Sequence, residues 1–100
     1  MNTQTTPVLP TEEECFEAAG KIAAYAAMSL HESFPDLDLD GLVEVFTRPT
    51  AIRMLGSRYL AGAARGLKPG EAAAEAGTIL MREWADARLK ARAELDQRAL

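Results

Sequence analysis

Apolar residues recur every three or four positions along most of this chain, which is the spacing of one face of an α-helix. Thr11 followed by Glu14 has the spacing of a capping box, which predicts that the first helix starts at Glu12. Pro35 predicts that it ends near Ser33, because the residue before a proline avoids helical geometry. Its apolar face carries mostly small side chains: Cys15, Ala19, Ile22, Ala23, Ala26 and Leu30.

Two further helices are predicted between residues 42 and 66. The first is short, from Leu42 to Thr47, with Asp40 as its expected N-cap. Pro49 suits the first turn of the second, and Gly66 suits the left-handed position that ends a helix. The apolar stripe of this second helix consists of Ile52, Leu55, Tyr59 and Ala63.

The residues from Pro69 to Leu100 predict one long final helix. Such a helix would span roughly 45 Å, whereas a globule of this size has a radius of gyration of about 13 Å. Beyond Trp84 the only large apolar residues before the terminus are Leu89 and Leu95. We therefore expect the end of this helix to overhang the domain, to fray, or to pack on another chain. The short turn before Pro69 predicts an antiparallel helical hairpin with the preceding helix.

The predicted fold is a small all-α domain of four helices, one of them short, over residues 11–100, preceded by a flexible arm over residues 1–10. The hydrophobic fraction of 48% suits a folded chain. Much of that fraction is alanine, which lets helices approach closely, so we expect a thin, tight core.

Charge is unevenly distributed along the sequence. Residues 1–47 contain nine acidic and one basic side chain, a net charge of −8, whereas residues 48–100 contain ten basic and six acidic side chains, a net charge of +4. The two halves either form binding faces of opposite sign or attract each other within one fold.

Composition also indicates the compartment. A single cysteine cannot form an internal disulfide, and the first residues lack the basic and apolar regions of a secretory signal. No apolar run approaches the length of a membrane span. We expect a cytoplasmic protein that does not contact membranes.

Residues suited to catalysis are few. His31 and Cys15 lie sixteen positions apart on one predicted helix, roughly 24 Å, too far to act as a pair. The glutamates around Cys15 disfavour a thiolate. There is no glycine-rich phosphate loop, so we predict a non-catalytic protein with no cofactor.

The stretch from Asp36 to Glu44 has aspartates at alternate positions, followed by Gly41. Asp36, Asp38 and Asp40 resemble the opening of a calcium-binding loop of the EF-hand or dockerin type. The resemblance ends at the twelfth position, where Thr47 replaces the bidentate acid, and two leucines stand between the aspartates. We predict an acidic linker whose leucines pack into the core, and no metal site.

The basic half of the sequence, residues 48–100, contains a candidate nucleic-acid site. Five basic residues form the candidate phosphate-binding set: Arg48, Arg53, Arg58, Arg65 and Lys68. On a helix Arg53 points away from Arg58 and Arg65, and no aromatic residues are interleaved for base stacking. A helix-turn-helix over residues 69–86 fails because polar residues occupy apolar positions. Direct nucleic-acid binding is therefore disfavoured.

Recognition of another protein remains the leading prediction. Its acidic residues would occupy a surface of a larger partner by imitating phosphates, as an inhibitor of a nucleic-acid-handling complex does; phage-encoded inhibitors of the anti-CRISPR type are one example, although no motif singles out that family. The alternatives are a nucleic-acid-binding accessory protein that uses the basic half, and a structural homodimer built on the last helix. Tyr25 and Met28 are either ordinary exposed residues or part of a contact surface. The candidate partner-binding residues are Asp36, Asp38, Asp40, Glu44, Arg88, Leu89, Arg92, Leu95, Tyr25 and Met28.

Overall fold

A computed structural model describes residues 8–98 as four helices, and no strand occurs in that range. The helices are α1 (Glu12–Ser33), α2 (Leu39–Phe46), α3 (Pro49–Ala64) and α4 (Pro69–Arg98). The prediction of an all-α domain with one short and one long helix is therefore confirmed. Residues 1–7, most of the predicted arm, and residues 99–100 lie outside the described range.

The start of α1 is fixed by the predicted capping box. The Thr11 hydroxyl accepts a hydrogen bond from the backbone N–H of Glu14 at 3.1 Å, and the Glu14 carboxylate accepts one from the backbone N–H of Thr11 at 2.9 Å. The second bond lowers the pKa of the Glu14 carboxyl below its ordinary value. This hydrogen bond therefore stabilises the fold at pH values above the ordinary pKa of a glutamate. Its contribution is lost as the pH falls through the lowered pKa.

The short helix α2 begins three residues earlier than predicted, and its N-cap is Asp38 rather than Asp40. The Asp38 carboxylate accepts a hydrogen bond from the backbone N–H of Gly41 at 3.0 Å. An N-cap at this position places Leu39 in the first turn, on the same side of the helix as Phe46, one of the most deeply buried side chains. The linker leucines Leu37 and Leu39 pack against the core, as predicted.

The helices α3 and α4 form the predicted antiparallel hairpin. Gly66 has φ +90°, the left-handed conformation that ends α3. Arg65 pairs with Glu75 near the turn, and Arg58 pairs with Glu83 further from it. Residue numbers thus fall along α3 as they rise along α4, so the two helices are antiparallel.

The core is built mainly from small residues. The alanines of α1 and α4 that have no exposed surface are Ala19, Ala23, Ala26, Ala27, Ala72 and Ala76. Phe46 and Leu55 are the largest fully buried side chains, whereas Trp84 is only half-buried against the core. The helix α1 runs alongside α4 in the same direction, with Ile22 against Gly77. Small side chains are what allow these backbones to lie so close together.

The last part of α4 extends beyond the body of the domain, as the sequence predicted. Every side chain from residue 86 to residue 98 is exposed. The molecule measures 69 Å along its longest axis and 25 and 23 Å across it, and its radius of gyration is 16.5 Å. We call residues 86–98 the projecting end of α4.

Close approach of α3 to α4 depends on Gly62. A Cβ atom added there would lie 3.0 Å from the Cβ of Ala72 and 3.3 Å from its Cα. We expect Gly62→Ala to lower the free energy of unfolding by about 1 kcal/mol, because forced separation of the helices outweighs the gain in helix propensity. Chemical denaturation monitored by circular dichroism measures the change.

Gly20 is the matched control, because a Cβ atom added there meets nothing within 4 Å. Gly20→Ala should stabilise the protein by about 0.5–1 kcal/mol through helix propensity alone. Equal stabilisation by both substitutions would show that the α3–α4 contact does not require a glycine.

Candidate functional site

An acidic surface lies where α1 passes into α2. Asp36, Asp40 and Glu44 are all exposed, and the last two are one turn apart on the solvent side of α2. Phe34 and Val45, from the same part of the chain, are also exposed, at 55% and 40%. We call these five residues the acidic edge. It combines carboxylates with exposed apolar groups, a composition that suits contact with another protein.

Asp38 differs from its acidic neighbours, because its carboxylate caps α2. This capping role by itself accounts for an aspartate at position 38, which the sequence analysis placed among the partner-binding acids. The N-terminus of a helix favours a negative charge, and the side-chain oxygen satisfies a backbone N–H that the helix itself leaves without an acceptor.

The calcium-loop resemblance does not correspond to a loop in the fold. The helix α2 begins at Leu39, in the middle of the stretch that a calcium loop would need. Within residues 8–98, no three histidine, cysteine or acidic side chains are arranged to hold a metal ion.

His31 holds the link between α1 and α2. Its Nδ1 atom lies 2.8 Å from the backbone oxygen of Leu37. A carbonyl oxygen only accepts hydrogen bonds, so Nδ1 carries the proton and donates it. The half-buried imidazole therefore fixes the linker that carries the acidic edge. The sequence offered no signal for this contact, since a carbonyl acceptor has no residue preference.

Cys15 is buried where α1 meets α3, beside Gly56. Burial raises the pKa of its thiol, and the negative charges of Glu14 and Glu12 raise it further. The thiol therefore stays protonated near neutral pH, and a protonated thiol is a poor nucleophile.

The ion pairs of the described residues do not involve the carboxylates of the acidic edge. The Arg65 guanidinium donates two hydrogen bonds to the Glu75 carboxylate, at 2.8 and 2.6 Å, and Arg58 pairs with Glu83. Both pairs lie within the second half of the sequence. In the described part of the chain no acid from the first half forms an ion pair, so the two halves do not neutralise each other through direct pairs. The same contacts occupy two arginines of the candidate phosphate-binding set.

The projecting end of α4 carries four more of the predicted partner-binding residues. Leu89 and Leu95 are 68% and 63% exposed, and Arg92 is exposed near them. The Arg88 guanidinium lies over the ring of Trp84, 5.4 Å from its centre, and covers part of this half-buried side chain. A helical end with exposed leucines is typical of a surface that contacts another helix.

Tyr25 and Met28 lie on the exposed side of α1, at 69% and 55% exposure. Tyr25 also lines a groove of about 640 Å³ between α1 and the start of α4. The sequence analysis missed this groove, although the small residues Gly70 and Ala74 on its α4 wall were a usable signal. We call it the α1–α4 groove.

The structure does not bring all predicted site residues together. Within residues 8–98, α2 makes no contact with α4, so the acidic edge and the projecting end are separate surfaces. A second groove, of about 620 Å³, lies between the start of α1 and α3 and exposes Phe16 and Leu60 on its rim.

Comparisons with protein-family models, with curated proteins and with solved structures find no significant match. In the described part of the chain, no helix combines the length and the apolar character that crossing a membrane requires.

The different roles of the linker acids can be measured. Asp38→Ala should lower the free energy of unfolding by about 1 kcal/mol, because it removes the N-cap of α2. Asp38→Asn should have little effect, since asparagine caps equally well. Thermal denaturation of both variants measures the difference.

Asp36→Ala is the matched control and should change stability by less than about 0.5 kcal/mol, since Asp36 is exposed. Equal losses for Asp36→Ala and Asp38→Ala would contradict the capping role.

Proposed function

We propose that this protein is a non-catalytic binding protein that occupies a surface of a larger protein partner through the acidic edge. The observation that carries the proposal is that Asp36, Asp40 and Glu44 are exposed and form no ion pair within residues 8–98. Uncompensated carboxylates on one edge favour a partner surface rich in lysine and arginine.

The arrangement supports imitation of a phosphate backbone. Asp40 and Glu44 are separated by four residues of helix, an axial distance of about 6 Å. Asp36 lies in the turn before α2, whose position the His31 contact with the linker fixes. Because the acids are held on a folded edge, binding would lose less conformational entropy than it would from a flexible tail.

A protein of this kind acts as an inhibitor when the basic surface that it covers belongs to a nucleic-acid-handling complex. Bound carboxylates would exclude nucleic acid by occupying the same cationic side chains. Phe34 and Val45 would add apolar contacts that a nucleic acid backbone lacks, which gives the protein an advantage in that competition.

The test is a triple charge reversal at the acidic edge: Asp36→Lys, Asp40→Lys and Glu44→Lys. Asp38 is left unchanged so that α2 keeps its cap. The reversed chain should retain its helical circular dichroism and lose its partner. Affinity purification from the native host with wild-type and reversed chains, followed by mass spectrometry, identifies proteins that bind only the first.

A matched control makes the same change in net charge on the projecting end: Asp86→Lys, Glu94→Lys and Asp96→Lys. This control should retain the partner. In a separate competition experiment, nucleic acid added to the complex of the wild-type chain should displace the partner. If the same proteins bind the reversed chain and the wild-type chain equally, the acidic edge is not the binding surface.

A further inference from the structure

The α1–α4 groove can accept a helix. Its α4 wall is formed by Pro69, Gly70, Ala73 and Ala74, of which the last three have no side chain beyond Cβ, and a Cβ atom added at Gly70 would meet nothing within 4 Å. Ile22 and Tyr25 form the α1 wall. Walls of this kind allow the backbone of an incoming helix to approach closely and accept its larger side chains.

Two residues of the α4 wall, Gly70 and Ala74, belong to a stripe that continues along the whole of α4. Its members alternate four and three positions apart: Gly70, Ala74, Gly77, Met81, Trp84, Arg88, Ala91 and Leu95. This spacing is typical of a helix that packs along its length against another helix. Gly77 is buried beside Ile22 of the same chain, and Met81 and Trp84 are partly buried against the core, so the exposed members lie towards the two ends. The stripe has small residues at the start of α4 and its large residues from the middle onward. On the projecting end no described residue from the rest of the chain covers it.

The size gradient predicts how a second copy would lie. In an antiparallel pair the large side chains of one stripe meet the small ones of the other. Leu95 then lies opposite Gly70 of the second copy. Near the centre two large side chains meet instead, since Trp84 lies opposite Met81 of the second copy. Both pairs fit one register, with a two-fold axis between residues 82 and 83. The contact is therefore made twice, once at each end, as two-fold symmetry requires.

Charges agree with this register. Arg92 lies close to Leu95 on the same side of α4 and would face Ala73 of the second copy. The residues that line the groove include Glu14 and Glu17, and Glu17 is exposed, with no ion pair in the described residues. Opposite charges at the edge of a contact favour the correct register and faster association. Lys21 also lines the groove, and its flexible stem can keep the ammonium group in solvent.

We propose that two copies of this chain form an antiparallel homodimer in which the projecting end of α4 of each copy lies in the α1–α4 groove of the other. A stable interface buries roughly 800 Å² per partner. Each copy contributes both a helix end and a groove, so the reciprocal contact doubles the area of a single one. The acidic edge lies outside this interface, so a chain that stays monomeric keeps its acidic edge exposed and the two proposals can fail separately.

Analytical ultracentrifugation of the full chain across the micromolar range is the first test. The full chain should sediment as a dimer, and a chain ending at Arg88 should sediment as a monomer with the circular dichroism of a folded domain. That truncation removes only exposed residues from the described range, so the body remains intact. A full chain that stays monomeric throughout this range overturns the proposal.

A charge exchange tests the predicted register. Arg92→Glu and Glu17→Arg should each weaken dimerisation by roughly ten-fold or more, because each places like charges together. The double variant should recover most of the wild-type affinity. Lys90→Glu is the matched control and should have little effect, because two residues turn the helix by about 200° and place Lys90 on the far side. No recovery in the double variant would exclude the contact between Arg92 and Glu17.

Cysteine cross-linking separates the two directions of pairing. In a Cys15→Ala chain carrying Gly70→Cys and Leu95→Cys, the new thiols lie roughly 38 Å apart within one copy, so any disulfide between them must join two copies. Oxidation should give a covalent dimer. The chain with Leu95→Cys alone should not cross-link, because the two thiols would lie at opposite ends. Efficient cross-linking of that chain would show a parallel pair and overturn the antiparallel arrangement.

Discussion

The close approach of α1, α3 and α4 is the constraint on which the rest of this structure depends. Alanine and glycine line the contacts, and Gly62 against Ala72 is the tightest of them. Helices that approach this closely exclude large side chains from between them. Only a few larger apolar groups are buried, among them Phe46 and Leu55, whereas others lie on the outside, as Tyr25 and Met28 do. Because the core contains few large apolar side chains, several of them remain on the exterior. We place the contacts with other chains on that exterior.

The same constraint separates two surfaces of different character. The helix α2 covers one side of α1, and its own outer side carries the acidic edge. The helix α4 lies on another side of α1 and extends beyond the helices that cover it. Its projecting end carries exposed leucines and arginines. Two-fold association through α4 would give one assembly two acidic edges. Two weak contacts with a repetitive basic partner would then act together.

Periodicity and capping chemistry were enough to predict most of the fold. The capping box at Thr11, the proline at the start of α3 and the glycine that ends it are local signals, and the structure contains each of them. The start of α2 was predicted wrongly because three aspartates compete as caps. The N-cap at Asp38 places Leu39 in the first turn of α2, where it packs against the core, and such packing is not a local property.

Prediction of the candidate site was less complete for the same reason. Exposure of Asp40 and of Leu95 followed from pattern alone, but the pairing of Arg58 with Glu83 spans two helices and depends on their rotation. The α1–α4 groove likewise requires knowledge of which helices are neighbours.

An alanine-rich core also has a thermal consequence. The heat capacity change of unfolding grows with the apolar area that unfolding exposes, and alanine contributes little of it. We therefore expect the stability of this protein to vary slowly with temperature, along a broad and shallow curve. A chain of this kind would lose little of its stability on cooling.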